Sequence, residues 1–214
     1  MKIDTSALVK LGETNQHFRE QCSVLRSASE IIVECFDRKD CLFMAGNGGS
    51  MSDALHISGE LKKRFKNPRP LDSTIVERLA SIPGGQELVP HLEVGFRVQV
   101  LGSDPVFLSA MDNDVNLRHL GFAQDLLSSG RNGDVLLAIS TSGKSRNILN
   151  ALVVANALNI SAILLTGPAP PESAVSLAKL TITTPPGSIG TIQNFHSSIY
   201  HAICQVVDDT FFSK

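Results

Sequence analysis

His56 and Glu60 stand four residues apart in a segment with helical patterning, so an imidazole and a carboxylate share one helix face. Such a pair can hold a metal ion or a substrate between its two side chains. A second pair, Gln193 and His201, lies eight residues apart in another helical segment near the C-terminus, with His196 between them. Eight residues correspond to about 12 Å along a helix axis and about 80° around it. Both side chains reach one ion only by leaning inward from a distance, or by coming from different subunits. His56 alone reads as an ordinary hydrogen-bonded histidine, and its pairing with Glu60 shifts that balance. His196 reads as packing, while His17, His91 and His119 have no evident partner.

Two segments suit anions and polyols. Gly46-Asn47-Gly48-Gly49-Ser50 follows a short apolar run and opens a helix, so the backbone can turn tightly and aim free N–H groups at a ligand. Ser140-Thr141-Ser142-Gly143-Lys144-Ser145 has the same placement and carries four hydroxyls in six residues. Hydroxyls joined to the N–H groups of a helix start can donate many hydrogen bonds to a phosphate. Neither segment has dinucleotide-fingerprint or Walker spacing. The plainer alternatives are a tight glycine turn at the first and a simple Ser142 helix cap at the second. In an open parallel sheet both would fall at the carboxyl edge, where ligands bind.

The elements that must position these groups follow from hydrophobic pattern. With 214 residues, 43% hydrophobic and a formal net charge of -2, the chain is expected to form a single domain over residues 1–214. Short apolar runs at CLFMAG, FRVQVLG, DVLLAIS, SAILLTG and LTITT alternate with amphipathic segments. That reading is α/β, a doubly wound parallel sheet covered on both faces. From Leu8 to Phe36 a near-heptad spacing predicts one long helix, interrupted in pattern at Asn15 and Ser29, which either docks on its own domain or joins a subunit bundle. The stretch 67–93 holds Pro68, Pro70, Pro83 and Pro90 and is expected to be an inserted loop with one short helix over Ser73 to Ala80. A closing helix is expected from about Thr191 to Phe211.

Composition narrows the partners. No apolar run approaches the roughly 20 residues that span a bilayer, and the first 16 residues lack a signal-peptide core, so a cytoplasmic protein with no membrane contact is expected. Balanced charge, with basic residues clustered only at Lys62-Lys63-Arg64 and Lys66, argues against nucleic acid. Cys22, Cys35, Cys41 and Cys204 show no paired spacing and read as reduced core residues.

The strings GNGGSxxDAxHxxxEL (Gly46 to Leu61), GDVLLAISTSGKS (Gly133 to Ser145) and IQxxHxxxxH (Ile192 to His201) resemble the bacterial phosphoheptose isomerases of the sugar isomerase (SIS) domain superfamily. The resemblance runs from about Leu8 to Phe211 except across the insertion, and the His-x3-Glu and Gln-x7-His pairs make it far more restrictive than SxSGxS alone. It implies a flavodoxin-like three-layer αβα fold and conversion of sedoheptulose 7-phosphate into D-glycero-D-manno-heptose 7-phosphate through an enediol. By this resemblance Ser140, Thr141, Ser142 and Ser145 hold the phosphate; Asn47, Gly48, Gly49 and Ser50 bind the polyol; and Arg64, Asn113, Asp114 and Gln193 complete the substrate site. It further implies a zinc ion on His56, Glu60, Gln193 and His201, with Glu60 moving the carbon-bound proton and His201 serving the oxygens. A homotetramer is implied as well, with residues 1–38 in a central bundle and active sites between subunits.

Three departures stand out. The 67–93 segment is longer than the family's, Gly190-Thr191 replaces an Asp-Arg often found before Ile-Gln, and Met51 stands where a histidine is common. The rival readings are a phosphosugar-binding or replication-initiator-binding protein on the same fold without catalysis, and an isomerase of another phosphosugar. Retention of His56, Glu60, Gln193 and His201 favours an enzyme.

Overall fold

The computed structural model describes residues 2–213. In chain order the elements are α1 (Ser6–Thr14), α2 (Gln16–Glu20), α3 (Cys22–Asp37), β1 (Leu42–Ala45), α4 (Gly49–Lys62), α5 (Ser73–Ala80), α6 (Gly85–Leu88), β2 (Val98–Val100), α7 (Pro105–Asp114), α8 (Gly121–Ser129), β3 (Val135–Ser140), α9 (Arg146–Ala157), β4 (Ser161–Thr166), α10 (Glu172–Val175), β5 (Leu180–Ile182) and α11 (Ile189–Phe212). All strands are parallel, in the order β2-β1-β3-β4-β5.

Alternate strand residues feed two cores, as the two-residue period requires. Leu42, Met44, Leu137, Ile139, Ile163 and Leu165 face α3, α4 and α11 on one side. Phe43, Ala45, Leu136, Ala138, Ala162 and Leu164 face α8 and α9 on the other. Both faces are therefore dry, and the strands read as continuous apolar runs. Cys35, Cys41 and Cys204 are buried free thiols, and burial pushes them up to about 12, 11 and 12 respectively, so they stay protonated.

The continuous N-terminal helix expected from Leu8 to Phe36 is three helices instead. Asn15 leaves helical geometry at φ -156° and its side chain accepts the His17 N–H, capping α2. A second break falls at Gln21. Leu8, Phe18, Leu25, Ile32 and Phe36, the expected seam, are buried in this chain's own core. Within 67–93 the short helix forms at Ser73–Ala80, followed by α6 and a 3₁₀ turn at Val89–His91.

Candidate active site

The order β2-β1-β3-β4-β5 places the topological switch between β1 and β3. The chain leaves β1 into α4 on one face and leaves β3 into α9 on the other, opening a crevice at the carboxyl ends of these two strands. The two small-residue segments border it. At the first, Gly48 turns the chain at φ +54°, Ser50 is buried, and the Ser50 N–H donates to the Asn47 carbonyl at 3.0 Å. A Cβ on Gly49 would overlap the Gln193 carboxamide, so this glycine lets α11 approach the turn. Gln193 and the polyol turn are thus neighbours in one chain.

At the second segment Ser140 Oγ lies 3.3 Å from Ser145 Oγ and accepts the Gly143 N–H at 3.2 Å, while Ser142 Oγ accepts the Lys144 N–H at 3.2 Å. Gly143 adopts φ +64°, and the Gly167 N–H at the end of β4 donates to the Thr141 carbonyl at 3.2 Å. Ser145 occupies the N-cap of α9 without its hydroxyl engaging a helix N–H; that hydroxyl instead faces Ser140 Oγ. The loop is a pre-shaped anion cradle.

One further cluster lies where α4 meets α11. His56 Nε2 is 3.2 Å from Glu60 Oε1, one turn along α4, and the His56 and His201 rings are 5.0 Å apart between centroids in edge-to-face geometry. His201 Nδ1 lies 2.8 Å from the Ser197 carbonyl, which only accepts, so Nδ1 is a donor and Nε2 is the nitrogen left to face a ligand. Glu60 and His201, nominated from the sequence as acid–base partners, each neighbour His56.

Other nominated residues are placed differently. Arg64 turns to the insertion, with Nε 2.9 Å from Glu93 Oε1, and lines a cavity of about 840 Å³ beneath that segment with Pro68, Leu71 and Val89. Asn113 donates to its neighbour Asp114 at 2.8 Å at the exposed end of α7, while the preceding Met111 and Asp112 line a cavity of about 340 Å³ beside the polyol turn. Among the described residues no three His, Cys, Asp or Glu side chains converge tightly enough to hold a metal ion. His196 is fully buried, and burial pushes it down to about 4 against the opposing pull of the Thr166 backbone.

The structure adds three residues that sequence reading passed over. Asp53, one turn before His56, is raised above the usual carboxylate range chiefly by burial, against the pull of the Tyr200 hydroxyl and of His56 and His201; its Oδ2 is a buried oxygen without a partner. The Tyr200 hydroxyl lies 3.4 Å from His56 Nδ1. Asn147 exchanges two hydrogen bonds with Asn47, at 3.0 and 2.7 Å, across the crevice. Asp53 lies inside the GNGGSxxDAxH string and Asn147 two residues after Ser145, so proximity to a motif was the one available signal.

Comparison with known proteins follows this geometry. No family model matches the chain. Phosphoheptose isomerase of Thermodesulfovibrio yellowstonii is 30% identical over 197 residues, covering 92% of this chain and 85% of that protein. Phosphoheptose isomerase of Campylobacter jejuni is 30% identical over 209 residues, covering 94% and 97%. The solved phosphoheptose isomerase of Neisseria gonorrhoeae superposes with a TM-score of 0.72 at 24% identity, over 94% of this chain and 93% of that one, a likeness of fold.

Proposed function

Because the chain belongs to the phosphoheptose isomerase family, we propose that it converts sedoheptulose 7-phosphate into D-glycero-D-manno-heptose 7-phosphate. The observation that carries this reading is the grouping of Glu60 and His56 on α4 with His201 on α11, in a chain that also carries a hydroxyl-rich loop at the sheet's switch point. Aldose–ketose exchange moves one proton between adjacent carbons and one between their oxygens. In this reading the Ser140–Ser145 loop grips the ester phosphate. Glu60 takes the proton from C1 of the open-chain ketose, and the C–H pair forms the C1–C2 double bond while the C2=O π pair moves to O2. In the second half the O1–H pair forms the C1=O bond as the C1–C2 π pair takes the proton back from Glu60 at C2. His201, with its Nε2 lone pair, carries the hydroxyl proton of O1 to O2.

Zinc is part of the proposal. His56 Nε2 and Glu60 Oε1 stand 3.2 Å apart, close to the about 3.4 Å separating two ligands that each lie about 2.0–2.1 Å from a tetrahedral ion. His201 Nε2 and Gln193 would supply the remaining donors, and the ion would polarise the sugar oxygens as a Lewis acid. Glu60 cannot be a tightly held ligand and a free base at once without compromise. A homotetramer with sites between subunits is part of the same proposal and rests on membership of the family. Among the described residues no helix is long and apolar enough to cross a membrane, and the cytoplasmic placement is proposed on that and on the sequence.

The test is direct. Purified protein, with and without added zinc or chelator, should equilibrate sedoheptulose 7-phosphate with its aldose in an NMR assay. Glu60→Gln should abolish turnover while phosphosugar binding persists. Absence of conversion under all metal conditions, or near-normal turnover by Glu60→Gln, would sink the reading.

A further inference from the structure

Asn47 follows β1 and Asn147 opens α9, 100 residues apart in the chain, yet their carboxamides face each other at the switch-point crevice. Asn47 Nδ2 donates to Asn147 Oδ1 at 3.0 Å and Asn147 Nδ2 donates to Asn47 Oδ1 at 2.7 Å. Asn147 Oδ1 also accepts the Ile148 N–H at 3.1 Å, which seats the side chain on the first turn of α9. Both residues line the cavity of about 340 Å³ that extends to Asp112 and His119.

A primary carboxamide presents one donor and one acceptor side by side. Its complement is a second carboxamide, or two adjacent hydroxyls of which one accepts and the other donates. The pair is exposed, so water already competes for its bonds and exchanging them for equivalent bonds costs little. Asn147 also lies two residues beyond Ser145, which fixes its distance from whatever the cradle holds.

We propose that Asn147, together with Asn47, is a clamp for vicinal hydroxyls in the middle of the phosphosugar chain, and that the reciprocal bonds of the ligand-free pair are exchanged for bonds to the sugar. The proposal rests on the phosphosugar reading above and assigns Asn147 to the recognition of chain hydroxyls rather than of phosphate.

The experiment compares Asn147→Ala and Asn147→Asp with wild type, using inorganic phosphate and a panel of five- to seven-carbon sugar phosphates as ligands. Losing two neutral hydrogen bonds should weaken the phosphosugar that wild type binds best by about tenfold to a hundredfold. Inorganic phosphate affinity should stay within about twofold in Asn147→Ala, and KM should rise while kcat changes little. Asn147→Asp keeps the shape but loses the donor and should weaken the sugar at least as much. Unchanged sugar affinity in Asn147→Ala overturns the proposal, and so does a parallel loss of sugar and inorganic phosphate, which marks a role in shaping the loop. Wild-type protein that binds no sugar phosphate of the panel overturns it too. Binding of other phosphosugars without conversion of sedoheptulose 7-phosphate sinks the reaction assignment alone, because the clamp is read on whichever sugar binds.

Discussion

Arg69 and Asp208, 139 residues apart and both fully buried, meet through two hydrogen bonds from Nε and Nη2 to the same oxygen Oδ1, at 2.9 and 2.7 Å. The other oxygen, Oδ2, accepts the backbone N–H groups of Lys66 and Asn67 at 3.2 and 2.8 Å. Arg69 also donates to the Leu61 and Glu60 carbonyls at 2.9 and 3.2 Å, closing the C-terminal turn of α4, and its guanidinium lies 5.3 and 4.9 Å from the Phe96 and Phe212 ring centroids. The insertion thus reaches under the helix that carries His56 and Glu60.

Truncating one partner of a buried, fully hydrogen-bonded ion pair leaves the other charge uncompensated, at a cost of about 3–5 kcal/mol. Arg69→Ala is therefore expected to lower unfolding free energy by that amount in chemical denaturation. Arg69→Lys should recover little, since an ammonium cannot reproduce the planar fork that serves Asp208 and two carbonyls together. A loss below about 1 kcal/mol for Arg69→Ala would show that the pair is not the anchor of the segment.

Tyr200 is buried, so Tyr200→Phe removes the hydroxyl beside His56 Nδ1 and Asp53 while keeping the ring. Partners that orient a ligating or catalytic histidine are typically worth about 10–100-fold in metal affinity or activity. The expected result is a loss in that range in kcat and in zinc affinity measured by chelator competition, with little change in thermal stability. Equal zinc affinity and kcat in the two proteins would make the 3.4 Å contact incidental.

His196 predicts an acid-limb effect of definite sign. Its folded value, near 4, lies below the ordinary value of 6.5 because burial disfavours the charged ring. Between about pH 6.5 and 4 the unfolded chain takes up a proton that the folded chain refuses, so stability falls as pH drops through that window and levels off below it. The shift corresponds to about 3 kcal/mol. His196→Leu should flatten this part of the stability–pH curve. An unchanged acid limb in His196→Leu would refute the assignment.

What could be read from the chain divides by the range of the interaction. The apolar runs around Leu42 and Leu136 announced a parallel sheet because burial on both faces leaves no alternation, and glycine and serine punctuation marked the loops at Asn47 and Ser142. His56 and Glu60 were legible because one helical turn joins them. Arg69 was not: a cation in a proline-rich stretch reads as solvated, and only the folded chain brings Asp208 beneath it. Asn147 depends likewise on a partner 100 residues distant. Arg64 and the Asn113-Asp114 pair carried the right residue types, and the structure turns the first to Glu93 and pairs the second internally. The N-terminal seam had the right spacing, but Asn15 supplies a local cap that a periodicity count does not weigh.

α11 runs for 24 residues without interruption, about 36 Å, bearing His201 two turns before Asp208. Such a rod transmits displacement rather than absorbing it, so a strain imposed on the proline-rich strap arrives at the His201 imidazole nearly undiminished. Replacing that strap is consequently not a cosmetic change: without the Arg69 guanidinium to grip the far end of the rod, α4 and α11 would lose their common footing.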